Sequence, residues 1–86
     1  ARDVYVAGTF NDWTVPRYKD EEFNHPELRP YRMEKHGEIW TVSVPMSPGI
    51  QYYRFYVDFM YWRIDETSHE KTQTMNGDWR NIAFVR

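Results

Sequence analysis

The 86-residue chain contains no cysteine and only four glycines. Without cysteine there can be neither a disulfide framework nor a thiolate metal site. Small secreted domains are commonly stapled by disulfides, so their absence argues for an intracellular setting, cytoplasm or plastid. No apolar run approaches the ~18 residues of a membrane span and no signal peptide is visible, so no membrane partner is expected. Positive charge is not in excess either: 11 Lys and Arg against 13 Asp and Glu leave a formal charge of −2. The basic residues are scattered, whereas binding to a nucleic-acid backbone runs on clustered cations, so no nucleic-acid partner is expected. There is no glycine-rich phosphate loop, and Ser43, Ser47 and Ser68 have no nucleophile motif around them. His25, His36 and His69 stand at spacings that match no zinc signature. No metal and no cofactor are expected.

Aromatic residues, in contrast, are abundant. Trp, Tyr and Phe make up 19% of the chain. A domain this small buries roughly 60% of the surface its unfolded chain exposes, too little to enclose so many rings. Some aromatics must therefore face outward. The stretch GTFNDW, Gly8 to Trp13, poses the question early. Glycine, asparagine and aspartate suit a turn because they tolerate left-handed backbone and bond to nearby amides. A turn has no need of Trp13, whose ring must serve as a lid on the core or as a platform for a flat ligand.

Apolar residues recur with period two along most of the chain, which predicts strands. The segments are DVYVAG, YRMEK (31–35), EIWTVSVPM (38–46), IQYYRFYVD (50–58), YWRI, KTQTM (71–75) and RNIAFV (80–85). EIWTVSVPM alternates most clearly and places Trp40, Val42, Val44 and Met46 on one face. Asn76-Gly77 signals a hairpin, since both residues accept positive φ. Short strands at this spacing predict an all-β fold, a sandwich or barrel of antiparallel strands in one domain spanning 1–86. Residues 14–30, with three prolines and a charge run, read as an extended loop with a helical turn around Asp20 to Phe23. Such a loop is disordered unless something holds it, and Phe23 and Leu28, with Val15 and Tyr18, are its apolar anchors. In IQYYRFYVD, Tyr53, Phe55 and Val57 form a core face. Tyr52, Arg54 and Tyr56 form the opposite one, with a guanidinium between two phenol rings. That second face is either covered by another layer or a binding face of flat rings and fixed donors.

Several pieces in this order resemble carbohydrate-binding module family 48, and within it the glycogen-binding domains of AMP-activated protein kinase β subunits. They are VYVAGTFNDW, the Pro48-Gly49 turn, YYRFYVD with Trp62 downstream, and Gly77 with NIAFV. The resemblance implies an immunoglobulin-like (E-set) β-sandwich that binds α-1,4-linked glucan such as glycogen or starch. It implies that Trp13 and Trp62 stack on sugar faces. Arg54 stands at the family's lysine, and Asn76, Asp78 and Arg80 at the remaining contact positions. The family's D-G-x-W turn is here Asp58-Phe59-Met60-Tyr61-Trp62, without glycine and one residue longer, which makes Tyr61 a rival to Trp62. The loop at 14–30 is longer than the family's and could cover the sugar face.

Catalysis is not expected. Asp58, Asp65, Glu66 and Glu70 could pair as glycosidase carboxylates, but solvated or turn-forming acids explain them, with Asp65 ordering a turn. The resemblance thus implies a non-catalytic module that holds a larger protein, or its other domains or subunits, on polysaccharide. The competing reading is a degenerate module of this type that serves as a protein-interaction or structural piece. Tyr52, Tyr56 and Trp79, facing outward, suit either role.

Overall fold

The computed structural model describes residues 2–86. Seven strands form: β1 (Val4–Gly8), β2 (Glu34–His36), β3 (Ile39–Thr41), β4 (Gly49–Val57), β5 (Tyr61–Arg63), β6 (Lys71–Gln73) and β7 (Trp79–Val85). Every ladder is antiparallel. β4 is the spine of a five-stranded sheet, and β2 and β3 form a separate two-stranded sheet. The fold is therefore all-β, as the alternation predicts. Among the described residues no helix is long and apolar enough to cross a membrane.

One edge of β4 carries β1, with Val4 opposite Val57 and Gly8 opposite Tyr53. Its other edge is shared by two strands. β5 pairs with residues 55–57 and β7 with residues 49–53. The chain must leave one ladder and another must enter at Arg54, which would strand backbone groups in the interior. Asn81 resolves this. Its side chain is fully buried; its Oδ1 accepts the Asp65 N–H at 2.6 Å and its Nδ2 donates to the Asp65 C=O at 3.0 Å. A carboxamide presents the same donor and acceptor as a peptide group, so Asn81 stands in for the missing rung.

The inward face of the sheet holds Val4, Val57 and Phe55, against which Met33, Trp40 and Val42 pack. The core is thinner than the pattern predicts. Val4, Val6, Met33 and Val57 are buried, but Trp40, Val42, Val44, Tyr53 and Phe55 are only half-buried. The reason lies in 38–46. The expected long strand is paired only over Ile39–Thr41, and residues 42–46 keep their in–out alternation without a ladder. Likewise YRMEK does not begin a strand at Tyr31, which closes a 3₁₀ turn; β2 starts at Glu34.

The opposite face is covered at β1 by the 14–30 segment. Here the sequence expectation is corrected in part. Leu28 is an anchor, 5% exposed, and Pro16 is buried, but Phe23 is 70% exposed and Tyr18 also points outward. A short helix α1 (Glu21–Asn24) forms where a helical turn was predicted, and a 3₁₀ stretch spans Pro26–Tyr31. The hold is polar. Tyr5, 1% exposed, donates its hydroxyl to Glu22 Oε2 at 2.7 Å and accepts from Arg32 Nη1 at 2.9 Å. Arg32 also bonds Asp3 and lies 3.6 Å from Glu22. The loop thus fastens to the outward face of β1 and leaves the Arg54 region of β4 beside it.

Burial, and then the bond to Glu22, push the Tyr5 phenol up from 10.0 to about 12. A raised phenol favours the protonated, folded chain. Its contribution to stability is whole below pH 10, falls as the unfolded tyrosine ionises, and is lost as pH rises through about 12. Tyr5→Phe should lower stability at pH 7 by about 1–2 kcal/mol and flatten the alkaline decline, measured as urea midpoints from pH 7 to 11.

Candidate functional site

Trp13 is delivered by the turn that ends β1. Gly8 is needed there for a reason other than left-handed freedom: its backbone is extended, φ −174°. A Cβ at Gly8 would stand 2.1 Å from the Tyr52 carbonyl oxygen and 2.7 Å from the Phe10 ring, and the former is backbone that cannot swing away. Asn11 braces the turn from within. It accepts the Gly8 N–H at 2.9 Å and donates to the Val6 and Thr14 carbonyls at 3.4 and 3.3 Å. Asp12 and Trp13 then take φ of +54° and +59°. For an L-residue this conformation costs roughly 1–2 kcal/mol, and a bulky aromatic is an outlier in it. The Trp13 N–H bond to the Gly8 carbonyl, 2.9 Å, keeps the turn closed against that strain. Strained residues held by their surroundings cluster at functional sites.

Trp62 arrives from the opposite side. Asp58 and Phe59 have φ of +52° and +56°, and Met60 N–H reaches the Val57 carbonyl at 3.0 Å. Positive φ at both central residues is the type I′ requirement. Phe59 meets it without glycine, and its ring lies 5.8 Å from that of Tyr5. The longer turn sets Trp62 across from Tyr56, ring centroids 4.9 Å apart, and therefore on the face of Arg54. Tyr61 lies opposite Val57 on the other face, with the Arg63 guanidinium 5.0 Å from its ring.

Between the two indoles lies Arg54, its guanidinium carbon 5.0 Å from the Trp13 centroid and 5.3 Å from that of Trp62. Each such contact contributes ~0.5–1 kcal/mol where solvent reaches it. Next on the face, Arg80 lies over Tyr52 at 3.9 Å. Beside Trp62 the surface opens into a depression of about 860 Å³ whose lining includes Arg54, Tyr61, Trp62, Arg63, Asp78 and Trp79.

Of the seven residues predicted for the site, Arg54, Trp62, Tyr61 and Asp78 line this depression. Trp13 closes the far side of Arg54, and Arg80 shares the face. Asn76 does not join them: it sits exposed in the β6–β7 turn, where Gly77 alone takes positive φ. Arg63 is a lining residue that sequence reasoning missed. Alternation assigns it, like Tyr61, to the inward face, and both still line the depression. Trp79 is exposed, as expected, but the register sets it on the face of Asn81 and Tyr53, away from Tyr52 and Tyr56, with Lys71 5.5 Å from its centroid.

Of the four carboxylates weighed for catalysis, Asp58 and Asp65 are engaged otherwise, while Glu66 and Glu70 are exposed. Asp58 accepts the Asp3 and Arg2 N–H groups at 3.0 and 2.8 Å, bonds that hold its carboxyl below the usual range. Asp65 accepts the Thr67 N–H at 3.0 Å and the Tyr53 hydroxyl at 3.1 Å, ordering its turn as predicted. Among the described residues no three His, Cys, Asp or Glu side chains group as metal ligands.

The turn gives a paired test. Trp13→Gly should be more stable than Trp13→Ala by about 1 kcal/mol, because glycine accepts the left-handed backbone without strain. Equal thermal midpoints would mean the turn relaxes once the ring is gone. Gly8→Ala should cost about 3 kcal/mol, the upper end for overpacking.

No family model matches the chain, and no curated protein matches it, so the use of this face has to be read from its own chemistry.

Proposed function

We propose that this domain is a non-catalytic module that binds α-1,4-linked glucan on the Trp13–Arg54–Trp62 face and so holds a larger protein on intracellular polysaccharide. The observation that carries the reading is the pairing of Trp13 and Trp62 across Arg54. Two indoles from segments far apart in sequence are brought to one guanidinium, at 5.0 and 5.3 Å. One of them is held in strained backbone to get there. Sugar rings offer C–H-rich faces to aromatic planes and hydroxyls to polar groups at the rim, and this face offers both kinds of partner. Stacking adds about 1 kcal/mol per ring beyond area burial, so single-site affinity is modest and repeated chain ends supply avidity. The resemblance to carbohydrate-binding module family 48 supports the same ligand. The use of Asp58 and Asp65 in turns supports a role without catalysis.

A second reading, a protein-interaction piece, is favoured by one observation. Ile50 and Phe84 are cross-strand neighbours at the other end of this face, and both are more than half exposed.

Trp13→Ala and Trp62→Ala should each reduce retention on amylose beads at least tenfold while the domain remains folded by circular dichroism. Arg54→Ala should weaken it less than either, and Phe84→Ser should leave it intact. Retention that survives both tryptophan changes would sink the glucan reading; loss with Phe84→Ser would move the site to the other end of the sheet.

A further inference from the structure

We propose that the glucan taken by this face is an anionic one, bearing phosphate ester groups, and that Arg54 and Arg80 select it. The inference rests on the glucan reading above and names the class of glucan.

Tyr53 pairs with Asn81 in the last rung between β4 and β7. The ladder ends there; the next residues, Arg54 on β4 and Arg80 on β7, fall by alternation on the same outward face, where Arg80 lies over Tyr52. Like charges opposite one another across a sheet repel. A sheet face tolerates two such cations when counter-charge is supplied, and neither arginine has an ion-pair partner among the described residues. The ion pairs of the described residues join Arg17 to Glu21, His25 to Glu27, Arg32 to Asp3 and Glu22, and His36 to Glu34. All lie in the loop, its anchor and the β2–β3 hairpin. Glu66 and Asp78 line the depression with Arg54 and Arg63, yet neither forms an ion pair with a described cation.

A second observation concerns the guanidinium groups themselves. The Nε atoms of Arg54 and Arg80 are both buried and both lack a hydrogen-bond partner. Covered as they are, these Nε atoms do not themselves meet a ligand, and it is the terminal nitrogens of each fork that would. Both groups are also stacked, Arg54 between Trp13 and Trp62 and Arg80 on Tyr52. Stacking fixes the plane of each fork before any ligand arrives. A neutral hydroxyl gains little from two fixed cations, because it donates as readily as it accepts. A phosphate monoester is acceptor-only when fully ionised, and it matches planar guanidinium forks by bidentate, charge-assisted bonds. Rings for the glucose faces and forks for a phosphate substituent make one ligand.

Stacked rings with arginines also suit single-stranded nucleic acid. The net charge of −2 disfavours it, since such binding draws on an extended cationic track.

The test titrates the intact chain with maltoheptaose, maltoheptaose 6-phosphate, inorganic phosphate and an oligo-dT strand at low and high salt. We expect the phosphorylated sugar to bind roughly tenfold more tightly than the neutral one at low salt, the factor one charge-assisted bond provides. That advantage should shrink at high salt. Arg54→Gln and Arg80→Gln should each cut the preference, and the double change should remove it, with thermal midpoints within a few degrees of the parent. Equal binding of the two sugars, or a preference that survives the double change, overturns the inference and leaves the glucan reading standing. If neither sugar binds the folded chain, the glucan reading itself fails. Inorganic phosphate as tight as the phosphorylated sugar makes this an anion site without a glucan and overturns the inference, and tight oligo-dT binding overturns it in favour of nucleic acid.

Discussion

The fold turns on one buried carboxamide. β1 occupies one edge of β4, and two strands compete for the other, β5 at the carboxyl end and β7 at the amino end. A continuous ladder would zip one of them along the whole edge and leave no room for the other. Asn81 bonds both the N–H and the C=O of Asp65, which lets the chain peel away from β4 without exposing unpaired backbone in the interior. The depression beside Trp62 opens where the strands part, and its lining comes from both sides of the fork: Trp62 and Arg63 from β5, Trp79 from the start of β7 and Asp78 just before it. Structure and candidate site therefore depend on the same two hydrogen bonds.

How much of this was legible varies with the kind of signal. Period-two alternation located β1, β4 and β7 because each has one face on the core, and alternation reports that difference directly. It overextended the strand at 38–46 for the same reason. Val42, Val44 and Met46 do turn inward, but period two describes which face a side chain takes and is silent on whether the backbone has a neighbour to pair with. It marked DVYVAG as a strand without showing that the face bearing Tyr5 is covered. The cover is made by Glu22 and Arg32, polar residues distant in sequence that no apolar pattern reveals.

The candidate site was read more by order of motifs than by any local rule. Trp13, Arg54 and Trp62 were nameable in advance, but the choice between Trp62 and Tyr61 needed the β4–β5 register, which hangs on the backbone of Asp58 and Phe59. Propensity would put glycine there, and the aromatic at Phe59 conceals the turn type from a reader of the sequence. Gly8 shows the reverse case. Its presence was legible and its reason was not, because the obstacle is the carbonyl of Tyr52, more than forty residues away.

The unpaired stretch at 42–46 has one further consequence, for association between copies. Residues 43–46 make no backbone hydrogen bond to any other described residue, and their alternating side chains resemble an open sheet margin, the surface on which chains add to one another and coalesce. Pro45 stands exposed in the middle of it. It has no N–H to offer an incoming strand, and its ring keeps a second backbone from lying flat along the margin. A single imino acid thereby blunts this margin against the addition of a second chain.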